Sequence, residues 1–421
     1  MLTYKKFLVP FIVITCLFFM WGFAHNLNPI LIPHLKKACR LSDLQSAFID
    51  SAFFIGYFVM ALPAGLAMKK WGYKTGIITG LLLFACGAAL FYPAAEVRTF
   101  PLFLLALFII ASGLTFLETA ANPYVTVLGA PETATQRLNF SQSFNGLAAT
   151  LAPLLGGIFI LSGRSISDDD LSAMTPEAAD LLLKSEAKTV QVPYLVIAGL
   201  VLLLALVIWK VALPEIKEEE QSGEHTEKAH APIYKQANLM RGILAQFFYV
   251  GAQVCITSFF IRFSGFSAGL DEKTAAMYLS AALLAFMIGR FAGTFLMQFI
   301  TPSRLLLIYS IANFGLLLAT VLVGGKFALY ALIGVTFFMS IMFPTIFSLG
   351  ISGLGSQTKI GSSLIIMSIA GGALIPVIMG FTSDRTNIQT AYIVPAICFL
   401  VVAWFAFKCK NIKTSGVQAS H

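Results

Sequence analysis

Glu118 and Asn122 stand four residues apart, with Pro123 next, inside a run, 101–127, that is otherwise apolar enough to cross a bilayer. Helical spacing puts the carboxylate and the amide on one face. Pro123 removes a backbone donor and frees a carbonyl close to that face. A charge at bilayer depth costs about 2.5–3.5 kcal/mol on insertion scales, so Glu118 is expected to face protein or water rather than lipid. Such a group has the chemistry of a substrate or ion site. Its carboxylate can accept from hydroxyls or take up and release a proton.

Other polar residues interrupt apolar runs. The first run carries Trp21, then His25, Asn26, Asn28 and Pro29; the second carries Asp50. Asn139, Gln142 and Asn145 follow in the fifth, and Gln246, Tyr249 and Gln253 in the seventh, where their spacing makes one stripe on a helix. Amides offer both donors and acceptors, which suits a ligand rich in hydroxyls. Roughly half of them are expected to bond only across helix interfaces, for about 0.6 kcal/mol each. With Glu118 and Asp50 the sole carboxylates in this set, a strongly anionic substrate is not expected. Arg290, late in its run, reads as a gate or an interhelix ion pair.

These residues need long helices to hold them. Of the 421 residues 58% are hydrophobic and 11% charged, against about 25% charged in soluble domains, so the chain is an integral membrane protein. Twelve runs are long enough to cross: 8–33, 46–68, 75–93, 101–127, 140–162, 193–213, 240–262, 274–297, 304–323, 327–349, 361–381 and 390–408. They are continuous rather than alternating, which excludes a strand barrel. An even count puts both termini on one side, and the larger share of Lys and Arg in the loops of that side marks it as cytoplasmic. Lys5 and Lys6 before an apolar run resemble a secretory signal, but no small-residue cleavage site follows, so 8–33 is the first span. The net charge of +8 lies mostly in short loops, so no nucleic acid partner is expected. The six cysteines form no CxxC pair and no metal-ligand spacing.

The composition changes abruptly at 214–238, a charged cytoplasmic linker between six-helix bundles at 1–213 and 239–421. A second polar stretch, 162–192, falls on the outer face and is expected to form a short surface helix. Its run Asp168-Asp169-Asp170 is not expected to bind a metal, because adjacent carboxylates point in different directions. The two halves echo one another. Pro123-Tyr-Val-Thr-Val-Leu-Gly129 matches Pro344-Thr-Ile-Phe-Ser-Leu-Gly350, and Gly65-Leu-Ala-Met matches Gly293-Thr-Phe-Leu loosely. Repeats of this kind mark transporters whose halves rock about a central site.

The repeated halves, the linker and the loop Gly65-Leu-Ala-Met-Lys-Lys-Trp-Gly72-Tyr-Lys74 resemble the major facilitator superfamily, although Lys69 stands where that loop usually has an acidic residue. The stretches 117–129, 245–253 and 344–350 resemble, more narrowly, the fucose:proton symporter family and its glucose/galactose relatives. This resemblance implies an all-α fold of twelve helices in two pseudo-symmetric bundles, with alternating access and monosaccharide uptake coupled to a cation. It implies Glu118 as the protonation site, with Asn145 and Gln142 at the sugar. The family's first span reads Asn-Leu-Asn-Asp, whereas this chain has Asn26-Leu27-Asn28-Pro29, so Asp50 is the candidate substitute carboxylate.

The expected function is secondary active import of a neutral monosaccharide through a bacterial inner membrane, by a monomer and without a cofactor. The coupling ion is H+, with Na+ as the alternative; a membrane-embedded enzyme would need catalytic pairs that the sequence lacks. The expected sugar contacts are Asn26, Asn122, Gln142, Asn145, Gln246 and Gln253, with Trp21 or Tyr249 against a ring face. Glu118 is expected to be protonated when occluded and to release its proton inside.

Overall fold

The computed structural model describes residues 3–41, 43–160, 174–211, 213–214, 232–270 and 272–409. Among them, ten helical stretches are long and apolar enough to cross a membrane. Each of the twelve runs nonetheless lies mainly on helix among the described residues. The second and third share one unbroken assignment, Asp43–Val97, which turns at Gly72, where φ is +81°. The fifth is Ala134–Phe159, whose amides and hydroxyls make it less apolar than the others. The surface helix expected in 162–192 is Pro176–Lys188; the Asp168–Asp170 run lies outside the described residues.

Two spans are broken near the middle of the bundle, each for a reason written in the sequence. The first stops at His25 and resumes at Asn28; Pro29 supplies no N–H for the carbonyl four residues back, which is that of His25. The tenth comprises Gly325–Met339 and Met342–Ile351, and the same offset from Pro344 falls on Ser340. Unpaired backbone at this depth is tolerated only where protein or a cavity satisfies it. The fourth span, Phe100–Val127, runs straight through Pro123.

Buried apolar side chains fall into two clusters. One gathers residues from Phe7 to Leu239, joined by Phe347, Ile351, Leu354, Ile365 and Ile366; the other runs from Ala245 to Cys409. Hydrogen bonds place both chain ends, and the loops near them, at one end of the molecule. The Thr3 hydroxyl donates to the Leu128 carbonyl, Lys74 to the carbonyls of Trp209 and Val211 at 2.9 Å, and Tyr124 to that of Pro214 at 2.8 Å. In the second half Asn238 donates to the Leu349 carbonyl at 2.5 Å, and the Cys409 thiol to Asn238 Oδ1 at 3.3 Å.

At this terminal end the halves are zipped together. Thr135 and Ser348 share a hydroxyl bond of 2.9 Å, Gln136 donates to the Thr294 carbonyl at 3.2 Å, and Asn139 donates to Thr345 Oγ1 at 3.1 Å. The Ser363 hydroxyl also donates to the Ala61 carbonyl. At the opposite end the helix Pro176–Lys188 is pinned to its own half by three ion pairs: Lys37–Glu186 at 2.5 Å, Arg98–Asp180 at 2.7 Å and Lys188–Glu96 at 2.8 Å. His34 lies 3.7 Å from Glu186, and burial holds its pKa down to about 4.

Candidate functional site

Glu118 is 8% exposed, so the expected burial away from lipid holds. Its Oε1 accepts from the Tyr57 hydroxyl at 3.0 Å, while Oε2 has no partner among the described residues. One turn along the same helix Asn122 is fully buried, and its Oδ1 accepts from Gln142 Nε2 at 3.2 Å. Its Nδ2 is left without a partner among the described residues. An unpaired buried polar atom costs roughly 1–3 kcal/mol, so Glu118 Oε2 and Asn122 Nδ2 are places where a ligand, a water or a proton improves the energy.

Arg290 enters the same network from the second half. Its Nη1 donates to the Gln142 carbonyl at 2.5 Å and lies 3.4 Å from Gln142 Oε1, and its Nε donates to the Ser340 carbonyl at 2.9 Å. No carboxylate pairs with it among the described residues, which corrects the expectation of an ion pair. The reason is local: the break ahead of Pro344 frees the Ser340 carbonyl, and a guanidinium with five donors satisfies it and still reaches the other half. The neighbouring Met339 carbonyl accepts from Tyr249 at 3.0 Å.

The remaining expected site residues fall into two tiers. Asn26, Asn145 and Gln253 are half-buried and His25 is exposed, so these face open space. Glu118, Asn122, Gln142 and Gln246 are buried. Both amide atoms of Gln246 lack a partner among the described residues. Trp21, 4.3 Å from Phe18 between ring centroids, and Tyr249, committed to Met339, are both buried. In this conformation neither ring offers a face to solvent. The Asp50 backbone lies in the helix Asp43–Val97, but its side chain lies outside what the structure describes.

Gly22 joins the accessible tier to the first span. Asn26 Nδ2 donates to its carbonyl at 2.7 Å, and a methyl added at Gly22 would sit 2.6 Å from Asn145 Nδ2 and 3.0 Å from Asn145 Cα. The backbone atom cannot swing away, so Gly22→Ala must displace Asn145 as a whole. Losing one amide contact is worth about 1 kcal/mol or somewhat more, so the variant should raise the half-saturation concentration for transported substrate about tenfold. An unchanged concentration in an uptake assay would show that Asn145 does not touch substrate.

Sequence reasoning missed Tyr57. The signal was present, because Tyr57 follows Asp50 by seven residues and so returns to the same helical face after two turns.

Comparison with known proteins fits this architecture. The family description Major Facilitator Superfamily matches residues 11–369. The chain is 44% identical over 412 residues to the L-fucose-proton symporter of Escherichia coli (strain K12), covering 96% of this chain and 93% of the relative. It is 41% identical over 394 residues to the glucose/galactose transporter of Brucella abortus biovar 1 (strain 9-941), covering 93% and 92%. The crystal structure of the superfamily transporter FucP in the outward conformation superposes with a TM-score of 0.89 at 42% identity, covering 97% of this chain and all of that one. A proton:xylose symporter at 13% identity, with a TM-score of 0.72, shares the fold. The chain belongs to the Major Facilitator Superfamily of multi-pass membrane transporters.

Proposed function

We propose that this protein imports a neutral monosaccharide together with a proton by alternating access, with Glu118 as the coupling group. The observation that carries this reading is a buried carboxyl, bonded at one oxygen to Tyr57 and one helical turn from the Asn122–Gln142 amide pair, with the further amides Asn26, Asn145 and Gln253 half-buried. Amides around a single carboxyl suit a ligand of hydroxyls that brings no charge. The names of the relatives, an L-fucose-proton symporter and a glucose/galactose transporter, agree with that chemistry. Sugar reaches Asn26, Asn145 and Gln253 first and engages Asn122, Gln142 and Gln246 as the halves close on it, with Trp21 or Tyr249 against its ring. Asp50 is a candidate second coupling carboxyl.

Proton fits Glu118 better than sodium does. A bound cation needs several oxygens that accept charge, whereas among the described residues the one group bonded to this carboxyl is a hydroxyl donating to it. The bundles 1–213 and 239–421 are the moving bodies and 214–238 the link between them. With the termini in the cytoplasm of a bacterium the zipped end is the inner one, and the likeness to FucP in the outward conformation supports an outward-facing state of a protein that acts as a monomer in the inner membrane.

Uptake into proteoliposomes tests the reading, using a panel of monosaccharides under proton and sodium gradients imposed separately. An acid exterior should drive accumulation of at least one neutral sugar, and a sodium gradient alone should drive none. Accumulation under sodium alone sinks the proton assignment, and none under either gradient sinks transport of these sugars.

A further inference from the structure

The two oxygens of Glu118 are not equivalent. Tyr57, from the second span, is buried and donates to Oε1 at 3.0 Å, while Oε2, also buried, has no partner among the described residues. An oxygen that already accepts from a phenol is the natural carbonyl oxygen of the protonated acid. We propose that Tyr57 is a positioning residue for coupling: it fixes Glu118 Oε1, so that the exchangeable proton rides on Oε2, and it sets the pH at which that proton leaves. This rests on Glu118 being the coupling group.

The proton account closes without a further reactant. On the outer side water delivers a proton to Oε2 and an O–H bond forms; on the inner side that bond breaks and the proton returns to water. Tyr57 keeps its own proton throughout and donates it as a hydrogen bond to both forms of the acid. Its donation is stronger to the ionised form, so Tyr57 favours release.

Few other groups compete for this role. From the first span, the His25 ring meets that of Tyr57 edge-on at 6.5 Å and that of Phe53 at 5.7 Å. From the fourth and fifth spans, Asn122 and Gln142 bond to one another. From the eighth, Arg290 bonds to Gln142 and Ser340. Asp50 lies two turns before Tyr57 on its own helix, with its side chain outside the described residues. The hydrogen bond described at Glu118 is the one from Tyr57.

Tyr57→Phe removes the hydroxyl and leaves the ring. The carboxyl should then hold its proton to higher pH, moving the alkaline limb of proton-driven uptake upward by about one pH unit. Replacing Tyr57 with 3-fluorotyrosine, a stronger donor of nearly the same shape, should move the limb downward. Infrared difference spectra give an independent measure. The protonated-carboxyl band that disappears in Glu118→Gln should move to higher frequency in Tyr57→Phe, because its carbonyl oxygen loses a donor. A limb and a band that stay in place in both Tyr57 variants overturn the proposal. If Glu118→Gln itself retains proton-driven accumulation, the coupling reading has failed instead, and the two failures are distinct.

Discussion

Glu118→Gln should abolish accumulation of sugar against its gradient while leaving sugar-for-sugar counterflow running. Glutamine keeps the shape and an acceptor for Tyr57 but cannot gain or lose a proton. It therefore fixes the site in a neutral state close to that of the loaded carrier. Counterflow needs only that state, since the halves exchange sides with sugar aboard. Net accumulation needs the empty carrier to shed its proton inside. At one proton per sugar, one pH unit supplies about 1.36 kcal/mol, enough for roughly tenfold accumulation. The variant should instead settle at an inside-to-outside ratio of about one. The buried carboxylate is costly in the bilayer, so removing its charge should not harm expression. Radiolabelled sugar in proteoliposomes reads both quantities. Accumulation that survives in the variant would move the coupling role elsewhere, with Asp50 the first candidate.

Arg290→Met should shift the carrier away from the state in which the terminal end is zipped. Methionine fills a similar stem volume but donates nothing, so the Gln142 carbonyl in the first half and the Ser340 carbonyl beside the break lose their partner. Hydrogen bonds from a charged group contribute roughly 1.5–3 kcal/mol each. The Gln142 bond crosses between the halves and so belongs to the zipped state alone, whereas the Ser340 bond lies within one half and survives in both. Losing the crossing bond should change the ratio of the two states by about ten- to more than a hundredfold. Spin-label distances across the outer mouth would report the change as a shorter mean separation, with uptake slowed at the same time. Unchanged distances would make Arg290 a local brace of the broken tenth span. The methionine also withdraws a donor from Gln142 and thereby loosens its hold on Asn122.

Helix count and the burial of Glu118 were legible in the sequence because both follow from one large term, the cost of polar groups in hydrocarbon. The Asn122–Gln142 contact was nearly so, since one residue shares a face with Glu118 and the other lies on the next helix. Two features were hidden. Tyr57 and Glu118 are 61 residues apart, and nothing local says that the second and fourth spans turn these faces toward each other. Arg290 looked like a charge in search of a carboxylate, because its acceptor is not a side chain. That acceptor is a carbonyl freed by Pro344, visible only when a proline is read for the backbone group it deprives four residues earlier. The stripe Gln246, Tyr249 and Gln253 was correct as a helical face. Its members differ in access: Gln246 and Tyr249 are buried, the latter bonded to the broken tenth span, while Gln253 is half-buried.

The helix Pro176–Lys188 carries a mechanical consequence. Its three ion pairs tie the end of the first span, through Lys37, and the turn between the third and fourth, through Glu96 and Arg98, into a single rim. A rim stapled in that way is expected to move as one piece, so the half should tilt as an oar tilts in its rowlock. The blade is then the stapled rim. A slight turn at the pivot should then become a wide sweep at the rim.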